Sequence, residues 1–99
     1  MTRHATYTLY IGALRGKRIP PSYIATTLAE HGLAGATVSD TDGLWKGKWE
    51  LATRIEIVEE NLDWALEKIR AVAQSLRRAH GQESVLLTVT PCAVHFIEG

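Results

Sequence analysis

Residues 5–14 alternate, with Tyr7, Leu9, Ile11 and Ala13 on one face and Thr6, Thr8 and Tyr10 on the other. That is the period of a strand with one buried side. A thinner apolar stripe of Ile24, Ala25 and Leu28 follows Pro20-Pro21-Ser22 and stops at Gly32. Proline pre-sets the φ of a first helical turn, a serine hydroxyl suits its cap, and glycine accepts the left-handed position that ends helices. A helix is therefore predicted over 21–31. Thr37-Val38-Ser39 is a modest second strand, and 51–58 alternates again, with Leu51, Thr53, Ile55 and Ile57 inward against Ala52, Arg54 and Glu56. Leu62, Ala65, Leu66, Ile69, Val72, Ala73 and Leu76 then recur at helical spacing to about residue 79, with Asn61 as a capping residue and Asp63 at the positive end of the helix. Trp64 lies off that stripe, which predicts partial exposure or a place between subunits. Residues 84–89 and 93–97, rich in β-branched side chains and interrupted by Pro91, predict a last strand that bends or reaches a sheet edge.

The order β-α-β-β-α-β is that of a ferredoxin-like α+β sandwich. Right-handed crossovers place both helices on one face of a four-stranded antiparallel sheet. The face carrying Thr6, Thr8 and Tyr10 is left for solvent or a partner subunit. In this topology the loop after the first strand, the loop between the middle strands and the loop before the last strand emerge at one end. Arg15, Lys17, Arg18, Lys46, Lys48 and Arg77, with Arg78 adjoining, are expected to gather at that pole.

Composition narrows the function. The 99 residues suit one domain spanning 1–99, and roughly a third of the unfolded chain's surface stays wet at this size, so association would help it. Eleven Lys and Arg balance eleven Asp and Glu, so no global field draws the chain to nucleic acid or to an anionic membrane, and any anion site is local. An aromatic nucleic-acid-binding sheet signature is also missing. Cys92 is the one cysteine, which excludes an internal disulfide, and there is no 18-residue apolar run or signal-type segment. A cytoplasmic protein is the expectation.

Several residue groups offer chemistry. In Leu44-Trp45-Lys46-Gly47-Lys48-Trp49-Glu50, two tryptophans interleave with two lysines, a set able to stack on a base and balance its phosphate. The same set could instead form a hairpin whose tryptophans pack on a neighbouring subunit. Gln82 and Glu83, with Arg77, could orient a ligand's polar edge or simply close a turn, and the basic 15–18 loop could bind an anion or stay solvated. His31, His80, His95 and Cys92 have poor metal-ligand spacing: Cys92 and His95 are an odd number of residues apart, which sends them to opposite faces of a regular strand. No nucleophile–base pair is evident among Ser22, Ser39, Ser75, Ser84 and Cys92.

One junction resembles a known family. Leu28-Ala29-Glu30 with Gly32 and Gly35-Ala36-Thr37-Val38, then Gly43 and Lys46-Gly47, is similar to the helix end, second strand and ligand-loop base of PII-type signal proteins. Ile55-Glu56-Ile57-Val58 is similar to their third strand. The resemblance implies a homotrimer, with a dimer as the alternative, that binds an adenine nucleotide or similar small anion in clefts between subunits and reports to a protein partner. It implies that Thr37 faces the base and that Gly43 lets backbone amides approach the ligand. The chain departs from the family pattern in three places. Only 44–50 stands for the long partner-binding loop, with Trp45 where a second glycine is expected. His80-Gly81-Gln82-Glu83 replaces a glycine-rich phosphate loop, and Cys92, Ala93, Val94 and His95 replace late basic residues. The resulting expectation is a non-catalytic, ligand-binding regulatory protein with no metal. Its ligand residues would be Thr37, Gly43, Trp45, Lys46, Lys48, Trp49, Arg77, Gln82 and Glu83. The alternatives are a protein-interaction module without a metabolite and, behind it, an oligomeric enzyme using Glu50, Glu83 or a histidine as base.

Overall fold

The computed structural model describes residues 3–99. Strand β1 (His4–Gly12), helix α1 (Pro21–Glu30), strands β2 (Thr37–Trp45) and β3 (Lys48–Glu60), helix α2 (Asp63–Ala79) and strand β4 (Leu86–Cys92) follow the expected order. They form a ferredoxin-like fold whose sheet runs β2-β3-β1-β4, antiparallel at every neighbouring pair. Central β1 buries Ala5, Tyr7, Leu9 and Ile11. Ile55 and Ile57 of β3, Ile24 and Leu28 of α1, and Ala65, Ile69, Val72 and Leu76 of α2 complete the core with Ile19 and Leu33. Each large aliphatic side chain removed from water contributes about 1.5–3 kcal/mol before entropy is counted.

The end of α1 has a plain physical basis. His31 caps the helix and Gly32 follows at φ +70°. The Leu33 N–H donates to the Leu28 carbonyl at 2.9 Å and the Gly32 N–H to the Ala29 carbonyl at 3.0 Å. These two bonds satisfy carbonyls that the helix leaves open, and the buried Leu28 and Leu33 close the motif.

Local expectations failed where long-range pairing decided the outcome. Neither Ser22 nor Asn61 caps a helix: Pro20 and Leu62 hold the cap positions in extended conformations, which puts Ser22 inside α1 and Asn61 outside α2. Strand β2 runs through Trp45, far past Ser39, because β3 offers it a partner at every position. Leu51, expected inward, is exposed one position before Ala52, where the β1 ladder begins along β3. The 93–97 strand does not form: the pairing of β4 with β1 ends at Cys92 and His4. Phe96 and Ile97 are 85% and 92% exposed. Pro91 sits in β4, an edge strand, where its missing N–H is tolerated.

Two core groups yield stability tests. The hydroxyl of Thr53 is buried with no hydrogen-bond partner, so Thr53→Val, which keeps the shape, should raise stability by about 1 kcal/mol in urea unfolding. Tyr7 is buried and its phenol donates to the Glu60 carbonyl at 2.9 Å. Burial, then the nearby Glu59 and Asp63 carboxylates, pushes its pKa above the ordinary 10.0. The neutral phenol's contribution is therefore whole below pH 10 and is lost as pH rises through the higher folded value. Tyr7→Phe should cost about 1 kcal/mol at neutral pH and should flatten the fall in stability above pH 10.

Candidate ligand-binding site

The β2–β3 hairpin outruns the sheet. Ala52 pairs with Gly12 of β1 on one side and with Thr41 on the other. Beyond that rung, apart from the Ala13 N–H that donates to the Leu51 carbonyl at 2.9 Å, the pairs Asp42–Leu51, Gly43–Glu50, Leu44–Trp49 and Trp45–Lys48 continue without a neighbour from β1, a ribbon projecting roughly 13 Å. Lys46 and Gly47 close it with consecutive positive φ values of 48° and 77°, a tight turn whose twist matches the strands and lets pairing run to the tip. The expected 44–50 loop is thus a paired arm, and Gly43 is a strand residue opposite Glu50. Residues directly opposite share a face, so Trp45 and Lys48 lie on the side away from the helices, and Leu44 and Trp49 on the other. The two tryptophans, 62% and 74% exposed, cannot form one stacking clamp within a single chain. Lys46 Nζ instead stands 5.8 Å from the centroid of the Trp45 ring.

Two arginines of the expected basic pole, Arg18 and Arg77, serve the scaffold. Arg18 donates through Nε to the Ala52 carbonyl at 3.1 Å and through Nη2 to the Thr41 carbonyl at 3.4 Å, and it pairs with Asp40 and Asp42 at 3.5 and 3.8 Å. It therefore staples the loop after β1 to the root of the arm. Arg77 donates to Gln74 Oε1 at 2.8 Å and to the Gln82 carbonyl at 3.1 Å, which shapes the turn into β4. Buried His80 lends that turn its ring, with Nε2 donating to the Lys17 carbonyl at 3.1 Å. The lysines of the arm stand at its tip, several rungs from Arg77. Thr37 is exposed opposite Glu56, six residues and roughly 20 Å along β2 from Gly43. Glu83 is also exposed, beside Gln82.

One constellation is brought together, on the sheet face away from the helices. A Cβ at Gly12 would stand 2.9 Å from Gln82 Oε1 and 3.6 Å from Glu50 Oε2. Gln82 holds this pose because its amide nitrogen donates to the His80 carbonyl at 3.1 Å and the Ala13 carbonyl at 3.5 Å, leaving Oε1 free. The Glu50 carboxylate makes no ion pair among the described residues. Gly12 and its partner Ala52 give a floor with little side chain, and Gly43 lies opposite Glu50. Sequence reading named Gln82 as a ligand residue and Glu50 only as the base of an enzyme alternative, and it missed Gly12. The available signal was a glycine ending an alternating strand, but its meaning depends on a register that pairs it with a second small residue.

Two concavities lie elsewhere, on the helical side. One of about 330 Å³ runs between α1 and β2 along Ile24, Leu28, Leu33 and Val38, and another of about 530 Å³ lies beside Tyr23, Thr26 and Glu30. Neither includes an expected ligand residue. No three His, Cys, Asp or Glu side chains converge as a metal site among the described residues. No helix is long and apolar enough to cross a membrane.

The chain matches no protein-family model and no curated protein sequence. Its backbone is similar to several solved structures. PII of Arabidopsis thaliana bound to citrate superposes with a TM-score of 0.69 at 20% identity, covering 93% of this chain and 79% of that one. A phage SAM lyase in complex with S-methyl-5'-thioadenosine gives 0.72 at 19% identity, covering 92% and 83%. CutA from Synechococcus elongatus complexed with Bis-Tris gives 0.62 at 8% identity, covering 93% and 82%. The fold is therefore PII-like, as the 28–43 junction implied. It is shared by a regulatory protein and by an enzyme, and at these identities it does not choose between them.

The staple is testable. Arg18→Ala should leave the core intact and speed amide hydrogen exchange in the 42–51 arm, since its two backbone acceptors lie at the arm's root. Its exposed ion pairs should add at most about 1 kcal/mol.

Proposed function

We propose that the protein binds a small adenosine-type ligand without chemical turnover, as a regulatory component, in clefts completed between copies of a homo-oligomer. A trimer is the reading we favour. The observation that carries it is the pair of free oxygens, Gln82 Oε1 and Glu50 Oε2, converging over Gly12 on an uncovered sheet face. One phage protein of the same fold is a SAM lyase in complex with S-methyl-5'-thioadenosine, which supports an adenosine core in the ligand. The exposed arm supports association, because a lone two-stranded ribbon is marginal in water and its tryptophans invite cover. In this arrangement Thr37 and Gly43 meet a ligand from different copies, and the arm with Trp45, Lys46, Lys48 and Trp49 closes over it.

A second reading is an enzyme acting on an S-adenosyl compound with Glu50 as base, favoured by the unpaired carboxylate and by the lyase among the structural neighbours.

Titration calorimetry against adenosine, S-methyl-5'-thioadenosine, AMP, ADP, ATP and cyclic AMP, on protein whose mass is measured by sedimentation, tests the binding reading. Saturable heat with at least one adenine compound is expected from an oligomer. Silence from all of them would overturn it. Chromatography of S-adenosylmethionine incubated with the protein separates the two readings: unchanged compound is expected, and steady conversion would establish the enzyme.

A further inference from the structure

We infer that the Gly12 cradle selects by charge, accepting an uncharged or cationic group that donates hydrogen bonds, such as a ribose diol or an amine, and rejecting phosphate. This rests on the binding reading above and specifies its ligand. Both side-chain atoms that converge over Gly12 are acceptors, Gln82 Oε1 and Glu50 Oε2. The amide cannot simply turn over to offer its nitrogen, because that nitrogen donates to the His80 and Ala13 carbonyls. A phosphate presents only acceptors and negative charge, so it would meet both atoms unfavourably.

Two cations of this end, Arg18 and Arg77, are engaged by the scaffold, and two more, Lys46 and Lys48, lie further out along the arm. Arg18 lies between Asp40 and Asp42 and two backbone carbonyls. Arg77 is held by Gln74 and the Gln82 carbonyl. Lys46 leans over Trp45 at the arm tip. Lys48 shares the face of Glu50 one pleat further out and makes no ion pair with it. The anionic ligand expected from the basic pole is therefore replaced, at this cradle, by a donor-rich one.

Calorimetry on three proteins tests this: wild type, Glu50→Gln and Gly12→Val. In wild type, adenosine or S-methyl-5'-thioadenosine should bind at least about tenfold more tightly than AMP or ATP. Glu50→Gln should shrink that gap to about threefold or less, because the carboxylate supplies the repulsion. Gly12 does not hold a positive φ, so Gly12→Val should fold normally by circular dichroism while its side chain fills the cradle and abolishes adenosine binding. ATP binding as tightly as adenosine, or discrimination unchanged in Glu50→Gln, overturns the charge rule and leaves the binding reading standing. No heat from any compound overturns both.

Discussion

The constraint on which the molecule depends is the burial of one face of β1 between two strand partners. Strand β3 pairs with β1 along its whole length and β4 along most of it, and Ala5, Tyr7, Leu9 and Ile11 are all removed from solvent. A one-residue slip would drive Thr6, Thr8 and Tyr10 under the helices and eject the aliphatic row. That penalty sets the registers of β3 and β4 at once, and through them the places where α1 and α2 dock. The Tyr7 phenol adds a tie to the Glu60 carbonyl in the neighbouring strand.

The candidate site arises from a mismatch in length around that centre. Strand β1 stops at Gly12, whereas β2 and β3 continue for four further rungs. The step leaves Glu50 just past the end of β1, on the open face, while the turn after α2 brings Gln82 to the same edge. Arg18 holds the step in shape by bonding the backbone of both strands at the root of the arm. Arg18 and Arg77, two of the arginines that made this end look like an anion pole, are thus engaged by the scaffold, and the side-chain atoms that meet over Gly12 are oxygen acceptors. Solved structures with this fold include a regulatory protein and an enzyme, so function lies in the side chains the fold carries and not in the fold itself.

Much of the architecture was legible in the chain. The alternation of 5–14 and 51–58, the stripe of 62–76 and the Gly32 stop each depend on neighbours within a few residues. The resemblance over 28–43 pointed to the same PII-like fold. The site was less legible. Gln82 stands out as a polar residue in a turn, but Thr37 and the arm-tip residues Trp45, Lys46, Lys48 and Trp49 do not join it within one chain, and Gly12 carries only the weak signal of a glycine that ends an alternating strand. Trp45 and Trp49 read as one interleaved set until pairing with Lys48 and Leu44 split them between two faces.

The sequence by itself determined the order of the strands and helices and which face of β1 and α2 is buried, because side-chain periodicity is a local property. Only the tertiary structure decided how far β2 and β3 run past β1, which arginines are engaged, and that Glu50 and Gln82 meet over Gly12. Those outcomes depend on cross-strand register and on contacts between residues as far apart as Gly12 and Gln82, which no local spacing encodes.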